Sequence, residues 1–191
     1  MLSHEDDSSD DAQVQRAAVD SNATVSAGPE AWLPPLLRLE DYGGDWQAYI
    51  EAVYLGFRAD FIVSRPSIPR RRWAVKRHPL VNGREATFQH LVSEGADESE
   101  RLPDLRRCER IRWPRAIIDA LGTHRVVAWA NERRGDRRVV IALPDFTYAV
   151  ILADRGDHIM LWTAYVVDEA YRRKQMRAEW ERSGGEDPLK G

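Results

Sequence analysis

Four short runs in the C-terminal third of the chain constrain its fold more than any other sequence feature. They are rich in Val, Ile, Trp and Tyr, which favour β-strands, and occupy residues 125–131, 137–143, 146–153 and 158–166. The breaks between them are polar or contain glycine, and Arg134-Gly135-Asp136 and Arg155-Gly156-Asp157 are typical of turns. Because tight turns join antiparallel strands, the sequence predicts an antiparallel meander in this region.

Helical spacing marks three other segments. Over residues 45–61 apolar side chains recur three and four positions apart, and Asp45 is a candidate N-cap after two glycines. The apolar pattern of residues 105–121 is interrupted by Pro114, which predicts two short helices that meet there. Residues 168–182 predict a charged helix that closes the domain.

An Asn-Gly pair between two apolar-containing runs is the strongest short-range signal of a hairpin, because both residues tolerate a positive φ. Asn82-Gly83 therefore predicts a β-hairpin over residues 73–90. Strand alternation puts His78 on the face that carries Lys76, and His90 lies opposite the first strand. The predicted fold class is α+β, with N-terminal helices and this hairpin packed on the C-terminal antiparallel β-meander and a closing C-terminal helix.

The chain of 191 residues is long enough for one domain with its own core. Residues 1–30 hold seven acidic residues and one arginine without apolar periodicity, which predicts a disordered acidic tail. We expect a single domain over residues 31–183 and a flexible C-terminus over residues 184–191. No apolar run approaches the roughly 20 residues needed to cross a bilayer. With no signal peptide and Cys108 as the single cysteine, these features predict a cytoplasmic protein outside the membrane.

Positive charge is concentrated in the predicted domain. The formal net charge is −3, but residues 1–30 carry −6, so the remainder carries +3. Arginines cluster over residues 65–78 and 101–115. The planar arginine fork suits phosphate recognition, and Trp73 and Trp113 among these bases offer stacking surfaces for unpaired bases. The alternative is an ordinary solvated basic face with both tryptophans pointing inward.

Lysine, arginine and histidine on one small surface provide what a metal-free ribonuclease requires. RNA supplies its own nucleophile, the 2′-hydroxyl, so the protein must move protons and stabilise charge on the phosphorane. Histidine titrates near neutrality, which makes His90 a candidate acid–base beside Lys76 and Arg77, although a core position is its alternative. Thr163 and Tyr165 share a strand face, where their hydroxyls bind a phosphate, orient a base or merely line an edge.

Other chemistries lack support in the sequence. It contains no glycine-rich phosphate loop, no His-Glu-x-x-His and no Gly-x-Ser-x-Gly. Cys108, between Arg107 and Glu109, is interpreted as a small packing residue rather than a nucleophile. We therefore expect no metal and no cofactor.

The order and spacing of four sequence blocks resemble phage- and prophage-associated proteins of the barnase–EndoU–colicin–RelE-like nuclease superfamily. The blocks span most of residues 45–170 and are Tyr49-Ile50-Glu51-Ala52-Val53-Tyr54 through Asp60-Phe61, Lys76-Arg77-His78-Pro79 with Thr87-Phe88-Gln89-His90, Arg106-Arg107-Cys108-Glu109-Arg110-Ile111-Arg112-Trp113-Pro114, and Leu161-Trp162-Thr163-Ala164-Tyr165. The resemblance implies a helical portion packed on an antiparallel sheet whose concave face binds and cleaves RNA without metal.

By position in these blocks, the candidate catalytic residues are Lys76, Arg77, His90, Arg112 and Thr163. The candidate substrate-binding residues are His78, Arg107, Trp113 and Tyr165. The expected function is a metal-independent endoribonuclease, acting as a toxin controlled by an antitoxin or immunity protein. The alternatives are a non-catalytic nucleic-acid-binding or regulatory module and a phage-encoded interaction protein whose basic face meets an acidic partner.

Overall fold

The computed structural model describes residues 30–95, 102–133, 135–185 and 188–189. Its contacts divide the chain into Met1–Ala31 and Trp32–Gly191, and the fold given below is that of the second unit. The acidic tail predicted over residues 1–30 lies, apart from Glu30, outside the described residues. Residues 96–101 also lie outside the described residues.

Helices come first in the described chain, and strands dominate its second half. The elements in chain order are α1 (Trp46–Arg58), β1 (Arg72–Ala74), α2 (Ala86–Val92), β2 (Ser93–Glu94), β3 (Leu102–Pro103), α3 (Leu105–Glu109), α4 (Trp113–Asp119), β4 (Val127–Arg133), β5 (Asp136–Ala142), β6 (Tyr148–Asp154), β7 (His158–Val166) and α5 (Ala170–Arg182). A 3-10 turn over Leu39–Tyr42 precedes α1, and a π-helical segment over Ala59–Val63 extends it.

The main sheet has five strands in the order β1-β7-β6-β5-β4. Strands β4 to β7 pair antiparallel with their sequence neighbours, which confirms the predicted meander. The short β1 adds a parallel strand at the β7 edge, where Trp73 lies opposite Ile159. Strands β2 and β3 form a separate two-stranded antiparallel sheet. The predicted α+β class is confirmed.

The predicted helices are confirmed where capping and periodicity agree. The Asp45 carboxylate accepts hydrogen bonds from the backbone N–H groups of Gln47 and Ala48, at 2.8 and 3.2 Å, and so caps α1. Pro114 lies in the first turn of α4, which begins four residues after the last residue of α3. A proline there costs no helical hydrogen bond, because the first-turn N–H groups have no partner within the helix.

The two faces of the sheet pack against different layers. The inner face carries the buried Val139, Ile141, Val150, Leu152, Ile159 and Leu161, which join one core with side chains of α1 to α4. The outer face carries Val140, Ala142, Ala149 and Ile151, which pack in a smaller cluster with Trp129 and Phe146. Met176 and Trp180 of α5 cover that cluster. Helix α5 therefore packs on the outer face.

A β-bulge interrupts the pairing of β6 with β7. Ile151 lies opposite Thr163 and Leu152 lies opposite Leu161, so Trp162 has no partner in the register. A bulge of this kind inserts one residue and shifts the alternation of side chains after it. Ala164 and Leu161, three positions apart, consequently both join the inner core.

The hairpin predicted over residues 73–90 needs correction in its second arm. Asn82 and Gly83 do form a tight turn, with φ values of +53° and +74°, and Val81 bridges Arg84 antiparallel. Pairing stops there, because residues 86–92 are the helix α2. Phe88, Leu91 and Val92 lie on one helical face and are buried in the inner core. His90 is thus a helical residue.

Part of the C-terminus described as flexible from the sequence has a defined position. Leu189 packs against the inner core, and the Pro188 carbonyl accepts a hydrogen bond from Arg137 at 3.2 Å. Residues 186–187 and 190–191 lie outside the described residues.

Truncation of Phe57 to alanine tests the apolar face of α1. Phe57 is fully buried against the rings of Tyr54, Phe61 and Phe88, so Phe57→Ala should lower the free energy of unfolding by about 3–5 kcal/mol. In the same helix Leu55 is 54% exposed, and Leu55→Ala should change it by about 0.5 kcal/mol or less. Urea denaturation measures both, and equal losses would contradict this orientation of the helix.

Candidate functional site

A groove of about 460 Å³ runs over the outer face of the sheet beside α5. Its floor is formed by residues of β4, β5, β6 and β7, and its opposite wall by residues of α5. Trp162, Thr163 and Tyr165 of β7 all line it, as does Arg138 of β5. The prediction that Thr163 and Tyr165 share a face is therefore confirmed.

Trp162 is the centre of an aromatic and basic cluster in this groove. The His90 imidazole stacks on its indole, with ring centroids 5.9 Å apart and planes 21° apart. The Arg138 guanidinium carbon lies 5.2 Å from the centroid of the same indole. A cation at this distance from an indole is attracted by the ring quadrupole. Trp162 thus joins the end of α2 to the floor of the groove.

Arg107 ties three elements together next to this cluster. One guanidinium nitrogen donates to the carbonyls of His90 and Ser93, at 3.4 and 3.2 Å, and approaches the Thr163 hydroxyl at 3.4 Å. The same guanidinium lies 5.7 Å from the Tyr165 ring centroid. The last carbonyls of a helix have no partner within the helix, and Arg107 supplies one for α2. This contact fixes the backbone from which the His90 side chain extends.

The Thr163 hydroxyl belongs to the same hydrogen-bonded group. It donates to the His90 carbonyl at a distance of 3.4 Å. The structure therefore brings together His90, Thr163, Arg107 and Tyr165, which come from three of the four sequence blocks. His90 contributes its carbonyl to this group and its imidazole to the Trp162 stack.

The far end of the groove has an acidic wall. Glu179 of α5 accepts hydrogen bonds from the indole of Trp129 and the amide of Asn131, both at 3.4 Å. At the other end of the groove, where α5 begins, Arg172 pairs with Glu169 at 3.0 Å. A second cleft of about 360 Å³ continues from there, and Tyr165, Glu169 and Arg172 line both spaces. The groove thus combines aromatic rings with charges of both signs.

Lys76 lies on the outer side of the β1 edge. Its backbone N–H donates to the Thr87 hydroxyl at 2.8 Å, and its carbonyl accepts from the Thr87 N–H at 2.9 Å. Trp73 and Val75 pack against the inner core, so alternation directs the exposed Lys76 toward the outer face. Its pairing partner on β7 is not defined, because the register of β1 with β7 ends at Ala74 opposite Met160.

Arg77 and His78 do not join this group. Arg77 lines a different pocket with Phe61 and Trp73, because consecutive residues of an extended segment face opposite ways. His78 is exposed at the segment that leads to the Asn82-Gly83 turn. The adjacent Lys76 and Arg77 therefore serve opposite sides of the sheet edge.

Arg112 and Trp113 belong to the inner helical layer. The Arg112 guanidinium binds both carboxylate oxygens of Asp60 at 3.1 Å, and this hydrogen-bonded pairing raises the pKa of Arg112. Trp113 is buried, donates to the Pro34 carbonyl at 2.9 Å and packs edge-on against Tyr148. The prediction that Trp113 offers a stacking surface is wrong, because its ring fills the inner core.

Trp162 and Arg138 are site residues that the sequence interpretation did not single out. Arg138 was predictable, since it alternates with Val140 and Ala142 on a strand whose outer positions are apolar. Trp162 was harder to place, because strict alternation would put it on the face opposite Thr163. Only the bulge allows both side chains to line the groove.

No metal-binding cluster of three or more His, Cys, Asp or Glu residues occurs within residues 30–95, 102–133, 135–185 and 188–189. Cys108 is fully buried, and burial raises the pKa of its thiol to about 12. A thiol with that pKa stays protonated at neutral pH and is a poor nucleophile. Packing remains the role supported for Cys108.

No protein-family model, curated protein or solved structure matches this chain. The resemblance carried by the four sequence blocks therefore stays a prediction. Among the helices that the structure describes, none has the length and apolar character required to traverse a bilayer. The fold and groove define an α+β protein with a groove between its sheet and α5.

Replacement of Arg107 tests whether its guanidinium holds the end of α2. Arg107→Ala leaves the His90 and Ser93 carbonyls without this charged donor, so the free energy of unfolding should fall by about 1.5–3 kcal/mol. Arg106→Ala is the matched control on the same helix and should cost much less, because its pair with Asp168 is exposed. Chemical denaturation of both variants measures the difference, and similar losses would contradict this role.

The raised pKa of Cys108 predicts a specific alkaline dependence of stability. Between about pH 9 and 12 the thiol ionises in the unfolded chain but stays protonated in the folded one. Stability contributed by the protonated thiol is thus complete below pH 9 and is lost as the pH rises toward 12. Cys108→Ala should flatten this decline by up to about 1.4 kcal/mol per pH unit. Denaturation curves over this range check it, and an unchanged slope would contradict it.

Proposed function

We propose that the outer groove binds RNA and that His90 takes part in metal-independent cleavage of the RNA backbone. The observation that carries this proposal is the stack of the His90 imidazole on Trp162, at a groove lined by aromatic and basic side chains. Imidazole is the side chain best suited to proton transfer near neutral pH. Aromatic rings and arginines are the usual contacts of unpaired bases and phosphates.

In the proposed reaction the RNA 2′-hydroxyl attacks the adjacent phosphorus. A bond forms between the 2′-oxygen and phosphorus while the bond from phosphorus to the 5′-oxygen breaks. His90 accepts the proton of the 2′-hydroxyl, and the departing 5′-oxygen takes a proton from the solvent. Lys76 and Arg138 provide positive charge beside the phosphorane, where fixed cations stabilise a developing negative charge. Trp162 and the Arg107-bound end of α2 hold His90 in place.

Substitution of His90 tests the proposal. Purified protein is incubated with a single-stranded oligoribonucleotide in EDTA, and products are examined for 2′,3′-cyclic phosphate ends. His90→Ala should lower the rate about 10²–10⁴-fold, the usual contribution of a general acid–base. His124→Ala is the control, because His124 is exposed and does not line the groove.

Equal cleavage by the two histidine variants, or no cleavage by the unmodified protein, would reject the assignment of His90.

We further propose that the protein is a toxin, and the same two histidine variants test this. Expression of the unmodified chain and of His124→Ala should arrest growth of a host, whereas expression of His90→Ala should not. An antitoxin or immunity protein that binds the groove should restore growth and block cleavage by the purified protein.

A non-catalytic RNA-binding module is the second candidate function. It is favoured by the commitment of two site groups to the backbone, since the Arg107 guanidinium and the Thr163 hydroxyl both bind the His90 carbonyl. Such a module binds RNA with a strong dependence on salt, because phosphate contacts release counterions. It yields no cleavage product, so the EDTA assay separates it from the ribonuclease.

A further inference from the structure

A small pocket lies beneath the free edge of β1, on the side away from the groove. It has a volume of about 190 Å³, between the π-helical segment and residues 73–77. Phe61 and Trp73 form its aromatic wall, with ring centroids 5.8 Å apart and planes 22° apart. Arg65 and Arg77 line the same pocket, and both are exposed. The pocket therefore has an apolar base and a basic rim.

The two arginines at this rim are uncompensated. Among the described residues that line the pocket none is acidic, and within that part of the chain neither guanidinium has a carboxylate within 4.0 Å. Neighbouring arginines differ in this respect, since Arg71 and Arg72 pair with Asp154 and Asp157. Two unpaired guanidinium groups at one pocket favour an anion, and their planar forks match phosphate oxygens.

An unpartnered donor in the pocket wall points the same way. The indole N–H of Trp73 is buried out of contact with solvent and has no hydrogen-bond partner among the described residues. Buried polar groups in folded proteins nearly always have partners, so an orphaned donor marks a place where an acceptor is missing. The side chains of Arg65, Arg77 and Trp73 all donate and cannot accept. A ligand rich in acceptor oxygens therefore complements the pocket.

We propose that this pocket binds a phosphate group held by the Arg65 and Arg77 guanidinium groups, against the wall that the Trp73 ring forms. Lys76 and Arg77 are consecutive and face opposite sides of the sheet edge, so an RNA strand that leaves the groove across β1 reaches the pocket next. This choice of an RNA phosphate rests on the proposed function, whereas a free nucleotide or inorganic phosphate offers the same chemistry. Exposed Arg65 and Arg77 have the rotamer freedom to turn toward the ligand.

Nuclear magnetic resonance of the Trp73 indole tests the proposal directly. The chain has seven tryptophans, and Trp73→Phe identifies the Trp73 resonance by its disappearance from the ¹H–¹⁵N spectrum. The ¹⁵N-labelled protein is titrated with a 2′-O-methyl oligoribonucleotide, which cannot supply the 2′-hydroxyl nucleophile. Parallel titrations use a 5′-mononucleotide and inorganic phosphate. We expect the oligoribonucleotide to shift the Trp73 resonance.

A double variant provides the quantitative arm. Arg65→Ala with Arg77→Ala should abolish the shift and raise the Kd for the oligoribonucleotide about tenfold or more. The matched control, Arg58→Ala with Arg125→Ala, also removes two exposed charges but leaves the pocket intact, and should raise it less than twofold. If the mononucleotide or inorganic phosphate shifts the Trp73 resonance with the same Kd as the oligoribonucleotide, the phosphate pocket is supported and is assigned to free phosphates.

Two outcomes would overturn the proposal: a Trp73 resonance that no probe moves, or a double variant that binds as tightly as its control. These outcomes are separable from failure of the proposed function. The Trp73 shift does not require cleavage, so it survives if His90→Ala proves as active as the unmodified protein. A silent Trp73 resonance in a protein that cleaves RNA rejects only the phosphate pocket.

Discussion

The bulge at Trp162 is the constraint on which the rest of the site depends. Before it, Ile159 and Leu161 face the inner core, and after it Ala164 does so. Without the extra residue, strict alternation from Leu161 would turn Thr163 and Tyr165 into the apolar inner layer. Their hydroxyls would then be buried without partners, at a cost of about 1–3 kcal/mol each. The bulge therefore keeps these two hydroxyls out of the apolar core and places them in the groove.

The same irregularity explains how a short helix is held beside the sheet. Helix α2 has seven residues, too few to be stable by itself in water. Its apolar side packs on α1 through Phe88, and its C-terminal end is held by Arg107 and Thr163. Thr163 reaches the His90 carbonyl because the bulge turns it outward. The position of His90 is thus a consequence of strand geometry as much as of its own helix.

Sequence patterns predicted elements whose stabilising interactions are local. The Asp45 cap, the proline at α4 and the alternating strands of the meander all follow from residues close together in the chain. The second arm of the hairpin was predicted to reach residue 90 because an apolar-containing run follows Asn82-Gly83. Burial of Phe88, Leu91 and Val92 against the inner core favours a helix instead. The alternating apolar positions change from odd to even numbers between Leu161 and Ala164, and this change was the sign of the bulge in the sequence.

Arginine clusters predicted the chemistry of the surface less well than their number suggested. Most arginines of the two clusters are paired with acidic residues within the described part of the chain: Arg71, Arg72, Arg106, Arg107, Arg110, Arg112 and Arg115. The exposed pairs among these add little stability, but each pairing cancels part of the positive field that an approaching anion meets.

The cations of these two clusters that have no acidic partner among the described residues are Arg65, Arg70, Lys76 and Arg77. They lie on the stretch that leads into and out of β1. Within the two clusters the uncompensated positive charge is therefore concentrated at this edge of the sheet, with Lys76 directed to the outer face and Arg77 to the opposite side. The cations of these clusters that lack acidic partners thus serve both sides of the sheet edge, although arginines are spread through both clusters.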